Sequence, residues 1–385
     1  MTPATFTAAF ERFVRSERTG GILLAAGTVV ALVLANSPAG PAWLAFWQVP
    51  VAGLTLQLWV NDGLMAIFFL LVGLELEREI YVGELRELRS AMLPAIAALG
   101  GLALPAAIHF AFNAGTPTQA GAGVPMATDI AFALAALGLA GRGVPASLKV
   151  FLTALAVIDD LAAIVVIGVA YAGDISFAYL AGALAVLAVL VALNRRDVVT
   201  LPPYLLGGAA LWFLLLRSGV HPTIGGVMLA FAIPFAPRRD AGPSPSARLE
   251  HALHAPVAFL VLPVFALANA GVVLPGSLLA PLLEPNGLGI FLGLVAGKPV
   301  GIGIACFAAV SFGLCKLPGD LRWRHVIGGG FLAGIGFTMS IFIANLAFPG
   351  MPEAVDASKL AILAASLTAM VAGVAWLRAC GARSR

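Results

Sequence analysis

The chain has 385 residues, of which 61% are hydrophobic and only 11% are charged, with a mean hydropathy of +1.00. Soluble globular proteins carry about 45–50% apolar and about 25% charged residues, so this charge deficit excludes that class and predicts an all-α membrane protein. The small net charge of +3 gives no sign of nucleic-acid binding. The three cysteines fall in no metal or redox spacing, and no cofactor is expected.

Twelve apolar runs, bounded by charged residues, Pro or Gly, predict twelve transmembrane helices. In chain order they cover residues 20–36, 60–82, 91–112, 121–140, 147–172, 176–193, 202–217, 219–236, 251–273, 287–313, 325–348 and 358–379. The interruption "RSGVHP" leaves the count open by one. With a cytoplasmic N-terminus, 19 of the 22 Lys and Arg residues fall in inside segments, two fall outside, and Lys298 lies within a span. This bias predicts twelve spans with both termini cytoplasmic.

The first outside loop, "AFWQVPVAGLTLQLWV", alternates apolar residues after a Val-Ala-Gly break. Such alternation beside a glycine turn is typical of a β-hairpin, so residues 45–58 are a candidate hairpin on the outer surface. An irregular loop is the alternative. The edge of a hairpin can pair with a second copy of the chain, and we therefore expect a homodimer.

Ionisable residues are rare inside the predicted spans. Those well inside are Asp129, Asp159, Asp160 and Lys298, and those near span ends are Asp62 and His221. A charge at the bilayer centre costs about 2.5–3.5 kcal/mol, so pairing or protonation must reduce the load. Successive helical residues point about 100° apart, so one of the adjacent aspartates can pair with Lys298 while the other faces a water-filled cavity. Protonated, hydrogen-bonded structural carboxyls are the alternative.

Two predicted spans are interrupted by helix breakers. "GAGVPMATDIAFALAALGLAG" carries Pro125, Thr128 and Asp129 near mid-span, and "GGGFLAGIGFTMSIFIANLAF" has five glycines before Thr338 and Ser340. Interrupted helices in different halves of a chain indicate a transporter site built from inverted repeats. For the glycine-rich span, a close helix-packing face is the alternative.

Charged and titratable residues also gather at the cytoplasmic ends of two spans, in "GLELEREI" and "RLEHALHAP". They are Glu75, Arg78, Glu79, Glu250, His251 and His254. The first three are spaced for one helix face. Because histidine titrates near neutrality, one hypothesis is a pH-responsive network, and the other is an ordinary solvated helix end.

Seven ordered motifs between about residues 10 and 380 resemble the NhaA-type sodium/proton antiporters of bacteria. Among them are "WVNDGLMAIFFLLVGLELERE", "VPMATDIAFALAALGL", "ALAVIDDLAAIVVI", "SGVHPTIGGV", "GKPVGI" and "GIGFTMSIFIANLAF". The resemblance implies a single transporter domain over residues 1–385 with twelve helices. Helices 3–5 (91–172) and 10–12 (287–380) would be inverted repeats, and helices 4 and 11 would be unwound and cross near the midplane.

The resemblance also implies roles for individual residues. Asp160 resembles the main carrier of cation and proton, and Asp159 resembles the partner of Lys298. Thr128 and Asp129 match the broken helix, and Thr128 joins the aspartate pair as a Na⁺ ligand. The family's cytoplasmic pH-sensing region corresponds to Glu75, Arg78, Glu79, Glu250, His251 and His254, with His221 added from its "GVH" motif.

The predicted function is secondary active transport and not enzyme catalysis. Cytoplasmic Na⁺ or Li⁺ would be exchanged electrogenically for external protons by alternating access in a bacterial inner membrane, under pH control. A carboxylate that holds a proton or a cation, but not both, links the two fluxes. The rivals are an intramembrane aspartyl protease, a sodium-coupled symporter and a passive cation channel. The protease is disfavoured because Asp159 and Asp160 are adjacent on one helix. The expected partners are these ions, the lipid bilayer and a second copy, with no nucleic acid.

Overall fold

The computed structural model describes residues 3–83, 86–141, 143–171, 173–235, 243–277 and 279–382. These residues are mostly helical. In chain order the helices are α1 (Pro3–Ala35), α2 (Gly40–Trp47), α3 (Leu56–Tyr81), α4 (Leu88–Asn113), α5 (Ile130–Ala140), α6 (Ala146–Ala170), α7 (Phe177–Arg195), α8 (Pro202–Ser218), α9 (Ile224–Ala232), α10 (Pro245–Asn269), α11 (Leu279–Leu283), α12 (Pro285–Ser311), α13 (Trp323–Ala333), α14 (Phe337–Ala347) and α15 (Pro352–Ala382). A 3₁₀ helix, Gln119–Met126, precedes α5.

Within the described residues, seven helices are long and apolar enough to cross a membrane, or ten if each of three bent helix pairs forms one span. The prediction of an all-α membrane protein is confirmed at this level. Of the twelve predicted ranges, 202–217 and 219–236 are not among these ten. They contain α8 and α9, which have 17 and 9 residues. A span needs about 20 residues, so the length of these two helices does not establish a crossing. Helix α9 begins after Pro222, which lacks an N–H and disfavours helix at the residue before it.

The described residues include one β-hairpin, inside the range 45–58. Strand β1 (Pro50–Val51) pairs antiparallel with β2 (Leu54–Thr55). Both turn residues, Ala52 and Gly53, have positive φ, at 51° and 88°, as a two-residue hairpin turn of type I′ requires. The flanks of the predicted range are helical, because α2 extends to Trp47 and α3 starts at Leu56.

The helices group into two units, and the first comprises Met1–Gly40, Glu87–Ala163 and Asn269–Arg385. Its apolar core is formed by buried side chains of α4, α5, α6, α12, α13 and α15. Helices α4 and α12 touch at Gly100 and Gly301. A Cβ at either glycine would lie 2.3 or 2.2 Å from the carbonyl oxygen of the other. This close contact requires glycine on both helices and fixes the position of α12, which carries Lys298.

The second unit comprises Pro41–Arg86 and Ile164–Ala268. Helices α3, α7, α8, α9 and α10 surround its main apolar cluster, which includes the fully buried Leu74 and Tyr204. Helix α9 lies directly on α3, since a Cβ at Gly226 would lie 2.2 Å from the Ala66 carbonyl oxygen. The unit therefore holds the charged end of α3 and the start of α10 on one packed scaffold.

Candidate cation and proton site

Two helix breaks meet inside the first unit. One, at residues 127–129, separates the 3₁₀ helix from α5 with a 44° bend, and the other, at 334–336, separates α13 from α14 with a 48° bend. The breaks are joined directly, because the Asp129 N–H donates to the Ile335 carbonyl at 2.6 Å. Non-helical backbone at membrane depth is tolerated where its polar groups are satisfied by protein or water. Here the two breaks satisfy part of that requirement for each other.

Asp129 caps both of the helices that begin after these breaks. Its Oδ1 accepts the N–H of Phe132 at 3.1 Å, and its Oδ2 accepts the N–H and the hydroxyl of Thr338 at 3.1 and 2.5 Å. Helices α5 and α14 start beside these donors, so one carboxylate, 3% exposed, faces the positive dipole ends of both. In the sequence, Thr338 stood out only as a hydroxyl residue after a glycine-rich break.

Lys298 forms a buried ion pair with Asp159. The Nζ of Lys298 lies 2.5 Å from Oδ2 of Asp159 and 3.0 Å from Oγ1 of Thr128, and both charged residues are 0% exposed. Thr128 Oγ1 lies 2.7 Å from the same Asp159 oxygen. Side chains of α12, α6 and the first break therefore form a closed polar triangle. Removing one partner of a buried pair costs about 3–5 kcal/mol because the other charge is left unpaired, so Lys298 and Asp159 depend on each other at this position.

The hydroxyl of Thr128 has two acceptors within reach. It lies 2.7 Å from Asp159 Oδ2 and 2.8 Å from the Ala333 carbonyl, the last residue of α13. A hydroxyl carries one proton, so Thr128 donates to Asp159 or to Ala333 at a given moment. Thr128 thus lies between the ion pair and the end of α13, and its hydroxyl connects the ion pair to the second helix break.

Local backbone structure places Lys298 at this position. A π-helical turn, Gly293–Gly297, ends directly before it, and such turns are frequent at functional sites. The aliphatic stem of Lys298 lies along Gly101 of α4, where a Cβ would be 3.6 Å from the lysine Cδ. Glycine at 101 therefore leaves room for a long side chain between two packed helices.

Asp160 is the next residue on α6 and is 3% exposed. Its side chain leaves the helix about 100° from that of Asp159, so the two carboxylates do not share one direction. Of the two, Asp159 is the one that pairs with Lys298. The other oxygen of Asp159, Oδ1, is buried and accepts no hydrogen bond from the described residues. The structure thus brings together Asp159, Thr128 and Lys298, with Asp160 adjacent and Asp129 one residue from Thr128.

Most residues of the predicted pH-sensing group meet in the second unit. Arg78 bridges two carboxylates, with N–O distances of 2.9 Å to Glu79 and 2.8 Å to Glu250. His254 Nε2 lies 3.1 Å from Oε1 of Glu75. These contacts join the end of α3 to the start of α10. We call these five residues the α3–α10 ion-pair cluster.

Two residues of that group lie outside the α3–α10 ion-pair cluster. His251 is exposed on α10 and is not part of these pairs. His221 lies 3.5 Å from Oδ1 of Asp62. Asp62 and Glu75 are both on α3, and 13 residues of helix span about 20 Å. His221 and Asp62 therefore form a separate pair, which the sequence motif alone did not distinguish from the cluster.

Sequence reasoning missed Glu77, which lies beside the cluster. It is 4% exposed, and its Oε2 accepts a hydrogen bond from the Ser246 hydroxyl at 2.8 Å. Its position among the charged residues of "GLELEREI" was the available signal. The burial of Glu77 could not be inferred, because it depends on where α10 packs.

The fold and the site define an integral membrane protein that buries an ion pair and further carboxylates between broken helices. The chain matches the family model described as Na+/H+ antiporter 1 over residues 11–377. It is 58% identical to the Na(+)/H(+) antiporter NhaA of Dechloromonas aromatica strain RCB, over 98% of this chain and 97% of the relative. It is 54% identical to the Na(+)/H(+) antiporter NhaA of Cytophaga hutchinsonii, over 97% of this chain and 95% of the relative. The chain therefore belongs to the Na+/H+ antiporter 1 family, which confirms the resemblance and makes it a transporter.

Proposed function

We propose that the protein is an electrogenic antiporter that exports cytoplasmic Na⁺ or Li⁺ in exchange for external protons. The observation that carries this proposal is the buried Lys298–Asp159 pair with Asp160 beside it, next to the two helix breaks. Ionisable residues inside a membrane protein are costly, and they mark ion pathways and proton relays. The names of the relatives, Na(+)/H(+) antiporters, support the same exchange.

In the proposed mechanism, Asp160 carries the cation in one direction and a proton in the other. Asp159 and Thr128 supply further oxygen ligands for the cation. Na⁺ and the Lys298 ammonium are both positive, so they compete for the charge of Asp159 and binding of one weakens binding of the other. If Asp160 and Asp159 each release a proton when one Na⁺ binds, two protons cross the membrane in exchange for one Na⁺. One net positive charge then moves in each cycle, so the membrane voltage also drives the exchange.

Alternating access is proposed to use two inverted repeats, residues 91–172 and 287–380. Each range contains one helix break, and the breaks hydrogen-bond to each other as described above. We propose twelve spans, two of them unwound and crossing, with both termini cytoplasmic. This topology is favoured because it puts most lysine and arginine residues on the cytoplasmic side of a bacterial inner membrane. Movement of one repeat against the rest would expose the aspartate pair to each side in turn.

Counterflow of Na⁺ and H⁺ tests this function against its rivals. In everted vesicles that contain the protein and are acid inside, added Na⁺ is expected to dissipate the pH gradient with the potential clamped by K⁺ and valinomycin. A sodium-coupled symporter would leave the pH gradient in place, because its solute is absent. A cation channel would also leave it in place, because the clamped potential cannot drive protons. Vesicles lacking the protein are the control. A gradient unaffected by Na⁺ or Li⁺ would contradict antiport.

We propose that the α3–α10 ion-pair cluster sets the pH range of activity. The His254–Glu75 contact is an ion pair only while the histidine is protonated, so rising pH removes one of its charges. His254→Ala and Glu79→Ala are expected to shift the pH profile of exchange while the maximal rate stays similar. His251→Ala, on the same helix but outside the pairs, is the matched control. Unchanged pH profiles in both test variants would contradict this role and identify the cluster as an ordinary solvated helix end.

We propose that the hairpin forms part of a two-fold dimer contact on the outer surface. The outer edge of a two-stranded hairpin presents backbone N–H and C=O groups that can pair with another chain. The apolar Val49 and Val51 are each 45% exposed. Deletion of residues 50–55 removes both strands and the turn, together with Thr55, the N-cap of α3, but leaves the helical residues of α2 and α3. The deletion variant is expected to be a monomer that still transports. Dimers of unchanged abundance in native mass spectrometry would argue against a role for the hairpin.

A further inference from the structure

Ser340, on α14, carries a buried hydroxyl that the site described above does not use. The residue is 0% exposed, and its Oγ makes no hydrogen bond with the described residues. Other helical hydroxyls here donate to the carbonyl four residues back, as Thr28 and Ser358 do at 2.8 and 2.7 Å. The equivalent carbonyl, of Gly336, accepts the backbone N–H of Ser340 but not its hydroxyl. A buried polar group left without a hydrogen bond costs about 1–3 kcal/mol, which indicates that a ligand completes it.

The hydroxyl faces the place where the two helix breaks meet. A Cβ at Gly336, in the second break, would lie 2.2 Å from Ser340 Oγ and 3.1 Å from the carbonyl oxygen of Ala127, in the first break. The two oxygens are therefore at most about 5.3 Å apart, which is these two separations laid end to end. They make no direct hydrogen bond. Hard cations bind oxygen at about 2.3–2.6 Å. A single cation between the two oxygens could therefore contact both of them.

Two of the three atoms nearest to a Cβ at Gly336 are these oxygens, and the third is the apolar Cδ2 of Leu294, at 3.0 Å. Gly334, on the other side of Ile335, is approached by the Leu294 carbonyl, which would lie 2.3 Å from a Cβ there. Leu294 belongs to the π-helical turn that precedes Lys298. Hydroxyl and carbonyl oxygens are the ligands that hard cations such as Na⁺ take, and carbonyls at unwound helices coordinate Na⁺ in transporters. The missing side chains at Gly334 and Gly336 allow these oxygens to approach.

We propose that Ser340 Oγ and Ala127 O bind the transported Na⁺ or Li⁺ at the junction of the two helix breaks. Ser340 is then a further cation ligand, in addition to the aspartate pair and Thr128, and it contributes to the affinity for the ion. This inference rests on the proposed exchange function. Its chemistry is specific, since a hydroxyl is a ligand for a hard cation and a thiol of nearly the same shape is not.

The test compares Ser340→Ala and Ser340→Cys with the parent protein in proteoliposomes with an imposed pH gradient. Both variants are expected to raise the KM for Na⁺ about tenfold, with a maximal rate near that of the parent and a changed ratio of KM values for Na⁺ and Li⁺. Ser366→Ala is the matched control, because Ser366, on α15, is also buried and its hydroxyl makes no hydrogen bond within the described part of the chain. It is expected to leave both KM values unchanged.

Ser340→Ala removes no hydrogen bond to the described residues, so the variant is expected to fold as the parent does. Parent KM values for both ions in the Ser340 variants would overturn the proposal and assign a structural water to this gap. An equal rise in KM in Ser366→Ala would also overturn it, because the effect would not be local. Failure of the exchange function itself would appear separately, as a parent protein that releases no protons on Na⁺ addition.

Discussion

Asp160→Asn is expected to insert and fold normally but to exchange no Na⁺ for H⁺. The substitution keeps the size of a side chain that is 3% exposed, so the packing of α6 is retained. An amide neither titrates nor balances the charge of a cation. The variant therefore has neither the proton-bound nor the cation-bound form of the Asp160 carboxylate. Exchange is expected to fall to the background of vesicles that lack the protein.

The measurement is dissipation of the pH gradient by Na⁺ in everted vesicles with matched amounts of protein. Asp174→Asn is the control, because it makes the same chemical change at an exposed carboxylate in the loop between α6 and α7. Asp174→Asn is expected to exchange at the parent rate. If Asp160→Asn exchanges Na⁺ for H⁺ near the parent rate, Asp160 is not the carrier of the cation and the proton.

The positions of the long helices were predictable because apolar runs of about 20 residues are required in a bilayer. The start of α10 shows the weakness of that signal. The predicted span begins at residue 251, whereas the helix begins at Pro245, because its first turns carry Arg248 and Glu250 and are not apolar. Ser244 accepts the N–H of Ala247 as the N-cap, and this capping signal marks the true start.

The Lys298–Asp159 contact was partly predictable, since Lys298 is the one basic residue that lies well inside a predicted span and away from its ends. Helix geometry left open which aspartate pairs with it, and only the family resemblance indicated Asp159. The partners of Asp129 were not predictable, because Thr338 is 209 residues away and the contact depends on how the two breaks pack. The same holds for His221, whose motif gave a role but not its place beside Asp62. Local pattern thus identified the polar residues, and tertiary packing decided their partners.

Competition between Na⁺ and protons for the same carboxylates is the central claim, and it has a second large consequence. If binding of the cation displaces a proton, the apparent Na⁺ affinity must depend on pH. Below the pKa of the carboxylate, each unit decrease in pH is expected to weaken Na⁺ binding about tenfold for every proton displaced. Above that pKa the affinity is expected to level off, because no proton remains to be displaced.

Isothermal titration of the purified protein with Na⁺ and with Li⁺, repeated from about pH 6 to about pH 9, measures this dependence directly. Asp160→Asn is the control, because heat that remains in this variant does not come from cation binding at Asp160. The proposed mechanism predicts a dissociation constant for Na⁺ that rises about tenfold or more per unit fall in pH and becomes constant at high pH. A Na⁺ affinity that stays the same across the whole range would contradict direct competition and favour a channel or a symporter.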